Sequence, residues 1–434
     1  MTSGTGQQDS ADGKGASTSS TSPAPSPKPT STKGKVAWEV AAPAAEMDGR
    51  TVSAPGAWLS GTTYATGVSD GVTGYDVASG TEKWSIPLSG DICQASPTRT
   101  SAGYVAVAHR TSKQDKSPCT QFAVIDITKG HVVWRAALKT ALRPLGLSMT
   151  VAVTDQVAAI GWPTVGSAAG GSFGFELNTG RSIWTAPAPG CDGDEHAGGK
   201  VLVTHSLCGG DWEGGTHRVG HRDPVTGKVT WRYTTRATEA WIVSADPLIV
   251  GVNSGLPEED TPDRLVSVST QGKVQAIWKS KDTYSTGCTS QRRRCGGVLA
   301  TPGTLYLATH DSQKANSIYA FDTVTGKRKW TYTPVTHLSR VLVPVQADND
   351  GLTVHMRSTS NRGSEVIRLA GLDGKPTQLM KMPDTGYSTT PDYEMVDDSV
   401  EDPLHYADYR LFVHRRGMFN YFIDAPMTMV LTNH

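Results

Sequence analysis

Hydrophobic and polar positions alternate in short runs along this chain, and most runs end at a turn of small or polar residues. The stretch Phe321–Trp330 shows the unit: an apolar run that ends at Asp322, a turn that contains Gly326, three further residues and a tryptophan. Glycine can adopt the positive φ that a tight turn needs, and Asp can bind the turn amides through its side chain. Each such stretch is therefore predicted to be a β-hairpin.

The hairpin unit recurs through the whole chain. Further copies are Tyr75–Trp84, Ile125–Trp134, Phe175–Trp184 and Arg222–Trp231, and Gly34–Trp38 is a half copy. Two copies are degenerate, because Gly272 has its tryptophan delayed to Trp278 and Gly374 has none. Successive turn glycines are 45 to 54 residues apart. This is the period of a four-stranded β-propeller blade and is longer than helical or leucine-rich repeats.

The number of second strands predicts the number of blades. The predicted second strands are Thr62–Val68, Gly103–His109, Gln156–Gly161, Lys200–Thr204, Leu248–Val252, Thr304–Thr309, Gly351–Met356 and Arg410–His414. We therefore predict an all-β fold, an eight-bladed β-propeller of four-stranded antiparallel blades. The last blade lacks a tryptophan strand, and the N-terminal segment Lys35–Ala41 is expected to supply it and close the ring. Seven blades is the alternative, if a degenerate copy is an insertion.

Composition separates a tail from the propeller. Residues 1–34 contain no Leu, Ile, Val or aromatic residue, so we expect a disordered Ser/Thr/Gly/Pro-rich tether there and the propeller domain over 35–434. A tether suggests an anchor, and we expect a membrane anchor or signal segment upstream of Met1, absent from this chain. No run approaches the roughly 18 apolar residues of a membrane span. The formal net charge is zero, which argues against a nucleic-acid partner.

The repeat also resembles a known family. Asp-x-x-Thr-Gly-x-x-x-Trp, as in Asp223–Trp231 and Asp322–Trp330, is similar to the tryptophan-docking repeat of the PQQ-like propeller superfamily. That superfamily includes quinoprotein alcohol dehydrogenases and the outer-membrane assembly lipoprotein BamB. The resemblance covers about residues 35–434, and the layout is most similar to actinobacterial PQQ-binding-like β-propeller repeat proteins. Those proteins carry an extracytoplasmic propeller on a membrane-anchored linker, which implies an extracytoplasmic, membrane-tethered protein here.

The repeated tryptophans are predicted to be structural. Their fixed offset from the turn glycine indicates packing between blades, not a cofactor box or a sugar platform. The tryptophans assigned to this role are Trp38, Trp84, Trp134, Trp184, Trp231, Trp278 and Trp330.

The six cysteines form three pairs that are close in sequence: Cys93 with Cys119, Cys191 with Cys208, and Cys288 with Cys295. In a propeller, the link that enters a blade and the loop between its second and third strands emerge on one face. The first two pairs are therefore expected to meet there as disulfides, whereas Cys288 and Cys295 would close a single long link. Three disulfides imply an oxidising compartment. Buried reduced cysteines are one alternative. Zinc is another, with candidate ligands Cys191, His196, His205, Cys208, His217 and His221.

The same face is expected to carry the long loops and any binding site. Candidate binding residues are the basic run Arg292, Arg293 and Arg294, for an anionic partner, and the group Asp211, Trp212 and Glu213. An acidic run comprises Asp397, Asp398, Glu401 and Asp402, but it lacks the spacing of a calcium-binding loop. Loop charges of this kind are most often simply solvated.

The sequence predicts a non-catalytic extracytoplasmic binding or scaffolding module, with an unknown protein or cell-envelope ligand as partner. No catalytic, cofactor-binding or metal-binding residue is assigned, because no phosphate loop or zinc-protease motif occurs. The alternative is a quinoprotein-like oxidoreductase that uses PQQ and calcium. The resemblance implies that such an enzyme would need a stacked cofactor, acidic and amide calcium ligands and a catalytic Asp. Many members also have two adjacent cysteines, and no two cysteines are adjacent in this chain.

Overall fold

The structure is a computed structural model that describes fifteen segments of the chain. These are residues 27–42, 52–114, 117–138, 149–163, 170–186, 191–211, 214–255, 262–280, 296–309, 315–335, 340–359, 362–384, 404–415, 417–418 and 426–434. The regular elements of these segments are all β-strands. No helix in the described segments could span a membrane.

The strands form eight blades, numbered here in chain order. Before the first blade come β1 (Lys35–Val40) and β2 (Val52–Ser53). Blades 1 and 2 contain β3 (Ala57–Ser60), β4 (Thr63–Val68), β5 (Gly71–Asp76), β6 (Glu82–Pro87), β7 (Ile92–Ala95), β8 (Tyr104–His109), β9 (Gln121–Asp126) and β10 (His131–Ala137). Blades 3 and 4 contain β11 (Thr150–Val153), β12 (Val157–Trp162), β13 (Gly171–Glu176), β14 (Ser182–Ala186), β15 (Cys191–Ala197), β16 (Leu202–Asp211), β17 (Gly214–Arg222) and β18 (Val229–Ala237).

The second half of the chain continues the pattern. Blades 5 and 6 contain β19 (Glu239–Ala245), β20 (Leu248–Asn253), β21 (Arg264–Val268), β22 (Val274–Lys279), β23 (Val298–Thr301), β24 (Thr304–Ala308), β25 (Ile318–Asp322) and β26 (Arg328–Tyr332). Blades 7 and 8 contain β27 (Leu342–Asp348), β28 (Gly351–Met356), β29 (Glu365–Ala370), β30 (Pro376–Lys381), β31 (His405–Ala407), β32 (Arg410–His414) and, after the short β33 (Gly417–Met418), β34 (Thr428–Thr432). Strand β33 pairs with β2 outside the blades.

The fold is an eight-bladed β-propeller, as the repeat count predicted. Blades 1 to 7 are four consecutive antiparallel strands, each hydrogen-bonded to the next. The eighth blade has the order β1-β34-β32-β31, so its outer strand comes from the other end of the chain. This confirms the eight-bladed prediction over the seven-bladed alternative, and it confirms closure by the N-terminal strand.

Ring closure involves residues on both sides of β1. Within blade 8, Lys35 pairs with Thr432 and Trp38 with Val430. Gly34 N donates to the carbonyl of Lys381 in blade 7 at 2.7 Å, and Lys381 N donates to the carbonyl of Thr32. The closing contacts therefore begin a few residues before the start of β1, within the segment that composition alone assigned to the tether.

The core lies between neighbouring blades. Alternate side chains of the second and third strands point to either face of a blade and pack against the next sheet. One cluster joins Val124 of blade 2 to Val151 and Ile160 of blade 3, and another joins Val219 of blade 4 to Val250 of blade 5. All of these side chains are at most 3% exposed. Each blade is thus stabilised by apolar burial against both of its neighbours.

The repeated tryptophans link each blade to the turn of the following one. A Cβ added at Gly80 would lie 2.5 Å from Cγ of Trp38, and one added at Gly130 would lie 2.2 Å from Cγ of Trp84. Several indoles also donate to a backbone carbonyl of the next blade, as Trp330 Nε1 does to Gly371 at 2.9 Å. The glycines are therefore needed for close approach of the indole as well as for the turn.

Candidate functional site

Two of the three expected cysteine pairs are disulfides, Cys93–Cys119 in blade 2 and Cys191–Cys208 in blade 4. They lie at the end of the disc where the first and third strands of a blade begin, here called the cysteine face. Cys208 lies inside β16 and not on a loop, because β16 continues beyond the usual strand end. Cys288 and Cys295 lie outside the described residues.

The strands of blade 4 extend further than those of its neighbours at the cysteine face. Strand β16 has 10 residues and β17 has 9, whereas the other second strands have 5 or 6. At the opposite face, β16 and β17 end at the same level as the strands of other blades, because Leu202 pairs with Arg222 next to the tight Asp223 turn. The additional four residues therefore project from the cysteine face, by roughly 13 Å at about 3.3 Å per residue. We call residues 207–218 the blade-4 hairpin.

A disulfide joins the base of the blade-4 hairpin to the inner strand of its blade. Cys191 is the first residue of β15, and it pairs in register with Cys208. The third strand continues the extension outwards, since Thr216 pairs with Arg236 of β18. The hairpin is consequently part of a three-stranded sheet and is covalently fixed at its inner edge.

Buried polar groups hold the face of blade 4 that is turned towards blade 3. Asp194 is fully buried and accepts from Ser206 Oγ at 2.5 Å and from a terminal guanidinium nitrogen of Arg222. Arg222 also donates to the carbonyl of Gly227 at 2.8 Å, and its guanidinium lies 5.1 Å from the ring centre of Trp184 in blade 3. A buried, paired charge of this kind is costly to separate, so it holds β16 and β17 to the inner strand β15.

A histidine pair occupies the opposite face of blade 4, towards blade 5. His205 Nε2 lies 2.9 Å from His217 Nδ1, and His205 Nδ1 lies 3.1 Å from Glu195 Oε2. Burial, with a contribution from the neighbouring His205, lowers the pKa of His217 to about 4. His217 is therefore neutral near pH 7 and takes part in the pair as a neutral hydrogen-bonding group.

His196 lies apart from that pair, at the contact with blade 3. Its Nε2 is 2.6 Å from Ser172 Oγ, and its ring packs edge-on against Trp184. Burial lowers the pKa of His196 to about 4. The side chain thus joins two blades as a neutral ring.

The structure does not gather the six residues of the alternative zinc site. The sulfurs of Cys191 and Cys208 are bonded to each other, and His196 lies on the other face of blade 4 from His205. His221 instead contacts Thr230 Oγ1 at 2.9 Å. Within the described segments, no group of three or more His, Cys, Asp or Glu side chains could hold a metal ion.

A PQQ site would need calcium ligands and an aromatic platform, and the described residues do not assemble them. The described segments bring no three Asp, Glu, His or Cys side chains together as calcium ligands. None of the ten described tryptophans is exposed, since each is buried or half-buried in sheet packing. Within the described segments no residues are identified that would hold a PQQ and calcium pair, and no catalytic step is assigned to one.

The candidate binding residues from the sequence fall mostly outside the described segments. Asp211 is the last residue of β16, at the end of the blade-4 hairpin. The basic run at 292–294, the residues Trp212 and Glu213, and the acidic run at 397–402 lie outside the described residues.

Sequence reasoning missed three arginines of blade 4. Arg218 and Arg222 lie on β17 and Arg232 on β18, and all three border one small cavity. A spacing of four along a strand places Arg218 and Arg222 on the same face. That spacing is visible in the sequence. No third strand before Arg222 was predicted, however, so nothing placed the two arginines on one face.

Comparison with known proteins agrees with this architecture. A family model described as outer membrane protein assembly factor BamB matches residues 29–201. No curated protein matches the chain. Among solved structures, a quinohemoprotein alcohol dehydrogenase from Pseudomonas putida HK5 has a TM-score of 0.52 at 12% identity, over 92% of this chain and 76% of that one. A europium-containing methanol dehydrogenase gives 0.51 at 11% identity, over 92% and 93%.

BamB from Moraxella catarrhalis is similar over 88% of this chain and 96% of that one, with 12% identity and a TM-score of 0.47. At these identities the solved structures bear on the fold and not on activity. The two dehydrogenase structures with TM-scores above 0.5 lead to one conclusion, together with the eight blades, the family-model match and the tryptophan-to-glycine contacts. The chain has the fold of a PQQ-like β-propeller.

Proposed function

We propose that this protein is a non-catalytic binding module that works outside the cytoplasm. The blade-4 hairpin would be the surface that contacts a protein or cell-envelope ligand. The observation that carries the proposal is the hairpin's projection of roughly 13 Å beyond neighbouring blades of ordinary strand length. Surface segments on a rigid scaffold are where binding residues usually lie.

The hairpin's attachment supports a binding role. The disulfide at Cys191–Cys208 and the buried bonds of Asp194 and His205 hold its base on both faces. A surface that is fixed before it meets its partner loses less conformational entropy on binding. The name of the matching family model, an assembly factor, is compatible with a role in contacting other proteins.

The proposed location rests on the two disulfides. Disulfides persist in oxidising compartments and are rare in the cytosol. Cys93–Cys119 and Cys191–Cys208 together leave no free cysteine among the described residues. This supports an extracytoplasmic setting for the propeller.

A trimmed hairpin tests the proposal. Replacing residues 209–215 by Asn-Gly would place a two-residue turn between Cys208 and Thr216, which pair in the native sheet. We expect cooperative unfolding to be retained, whereas binding of the purified chain to cell envelopes of its source organism should fall at least tenfold. The matched control is Leu372→Ser, which changes a 92% exposed residue in a turn on the opposite face. Equal envelope binding by the trimmed and native proteins would rule out the hairpin as the contact surface.

The same preparations can test the oxidoreductase alternative. Native protein would be incubated with PQQ and calcium and assayed for dye-linked alcohol oxidation. The binding-module proposal predicts no dye reduction above a protein-free control. Substrate-dependent reduction would place the chain with the quinoproteins instead.

A further inference from the structure

A small cavity lies within blade 4, on the face that packs towards blade 3. Its volume is about 20 Å³, which is room for a water molecule or an ion of similar size. It is bordered by residues of the three outer strands of the blade. These are Thr204, Ser206, Arg218, Gly220, Arg222, Val229 and Arg232.

The charges around this cavity are unbalanced. Three guanidinium groups border it, and one carboxylate, Asp194, pairs with Arg222. Arg218 Nη1 donates to the Cys191 sulfur at 3.6 Å, and within the described segments neither Arg218 nor Arg232 has an ion pair. Burial lowers the pKa of Arg222, and the nearby charge of Arg232 lowers it further. Arg232 is exposed to solvent, whereas Arg218 is half-buried, so one partly buried positive charge borders the cavity without a counter-charge.

Two buried polar groups at the cavity also lack partners. Arg222 is 4% exposed and its Nε–H has no hydrogen-bond acceptor, and Thr204 is 3% exposed and its hydroxyl has no partner. Leaving a buried donor unpaired costs about 1–3 kcal/mol, more for a charged group. A water molecule would satisfy the hydrogen bonds but would leave the excess positive charge uncompensated. An anion would accept the hydrogen bonds and also compensate the charge.

We propose that this cavity binds a small monatomic anion such as chloride. The Nε–H of Arg222 and the hydroxyl of Thr204 would donate to the ion, and Arg218 and Arg232 would compensate its charge. The ion would lie below the blade-4 hairpin and would help to hold β16, β17 and β18 together. This inference does not depend on the proposed function, because it concerns the stability of blade 4 and not its partner.

Thermal unfolding of the full chain tests the site. Tm would be measured in sodium chloride and in sodium gluconate at equal ionic strength, with sulfate and phosphate as further arms. Because an ion that binds only the folded state stabilises it, we expect a saturable rise in Tm of about 3–5 °C in chloride over gluconate. The tetrahedral anions should give no saturable rise, because the cavity is too small for them; their general stabilising effect does not saturate.

Variants separate a bound ion from a general salt effect. Thr204→Val should lose at least half of the chloride-dependent rise, yet be no less stable than the native protein in gluconate, because the hydroxyl has no partner there. Arg218→Gln should also lose the chloride-dependent rise in Tm. Arg236→Gln is the matched control, since Arg236 is exposed on the same strand as Arg232 but does not border the cavity, and it should keep the rise.

A bromide-soaked crystal provides the direct observation. The proposal predicts an anomalous bromide peak in contact with Arg222 Nε and Thr204 Oγ1. An ordered water there with no bromide, a Tm equal in chloride and gluconate, or a rise produced by sulfate or phosphate but not by chloride would each overturn it. An equal chloride effect in Thr204→Val and Arg236→Gln would do the same.

Discussion

At the scale of single residues, the pairing of an indole with a glycine explains the repeat. The glycine has a positive φ, +71° at Gly130, and its missing side chain leaves the space that Trp84 occupies. Trp278 shows how the pair tolerates change. It lies two residues later along its strand than usual, yet its Nε1 still donates to Gly326 of the next blade at 3.2 Å, while Ala276 faces that glycine.

We predict that Gly130→Ala destabilises the protein by about 2–5 kcal/mol. The backbone would be strained at positive φ, and the new methyl would collide with Trp84. Gly61→Ala is the matched control, because Gly61 has φ +56° but nothing within 4 Å of an added Cβ, so only about 1–2 kcal/mol of strain is expected. Urea denaturation measures both. Equal losses would show that the indole contact is unimportant.

The low pKa of His196 predicts how stability depends on pH. The folded protein keeps this ring neutral down to about pH 4, whereas the unfolded chain takes up a proton near pH 6.5. Its contribution to the free energy of unfolding is therefore complete above pH 6.5 and is lost as the pH falls from 6.5 to about 4. The expected slope is up to about 1.4 kcal/mol per pH unit for this one group.

His196→Gln should flatten that profile, because glutamine does not titrate and can still hydrogen-bond Ser172. His131→Gln, at an exposed position, should leave it unchanged. Urea denaturation at pH 7.5, 6, 5 and 4.5 measures the slopes. A His196→Gln profile parallel to that of the native protein would mean that the ring is not buried neutral.

At the scale of elements, blade 4 differs from the others because its strands are polar. Thr204, His205 and Ser206 are buried in β16, which lacks the alternating apolar pattern of an ordinary strand. The Ser206 hydroxyl meets Asp194 and the His205 ring meets His217 on neighbouring strands. Such partners are brought together only by the fold, and that is why the sequence predicted the second strand of this blade only as far as Thr204.

The disulfide of blade 4 should act locally as well as globally. Cys191→Ser with Cys208→Ser removes a cross-link across 17 residues, for which the chain-entropy model gives about 3 kcal/mol. We also expect faster amide exchange along residues 207–218. The control pair, Cys93→Ser with Cys119→Ser, should lower global stability without accelerating exchange there. Unchanged exchange in the first variant would show that the disulfide does not hold the hairpin.

Much of the architecture could be predicted from the sequence because the tryptophan-to-glycine spacing is a local feature that repeats. The blade without a tryptophan could be placed only by its position in the period. In that blade, blade 7, Met380 and Met382 pack against Gly34 in place of a tryptophan, and no sequence motif predicts this contact. The candidate site was less predictable, since Arg218, Arg222 and Arg232 are ordinary charged residues until the strands place them around one cavity.

At the scale of the whole molecule, the stability of the propeller depends on closure of the ring by the N-terminal strand β1. Without β1, β34 would be an open sheet edge, and Tyr64 and Phe412 would lose their contacts with Trp38. Trp38 also donates to Val77 in blade 1 at 3.2 Å, so a single side chain bridges the last blade and the first. Truncating a fully buried tryptophan costs about 3–5 kcal/mol, and Trp38 is half-buried, so its loss should cost less than that.

The most direct test of this closure is complementation by a peptide. A chain lacking residues 1–40 would be compared with one lacking only residues 1–26, which keeps every described contact, by the urea midpoint with and without a peptide of residues 27–42. We predict that the shorter chain unfolds at a clearly lower midpoint, that the peptide restores it saturably, and that the same peptide with Trp38→Ala does not. Equal midpoints for the two chains without peptide would contradict closure by the N-terminal strand.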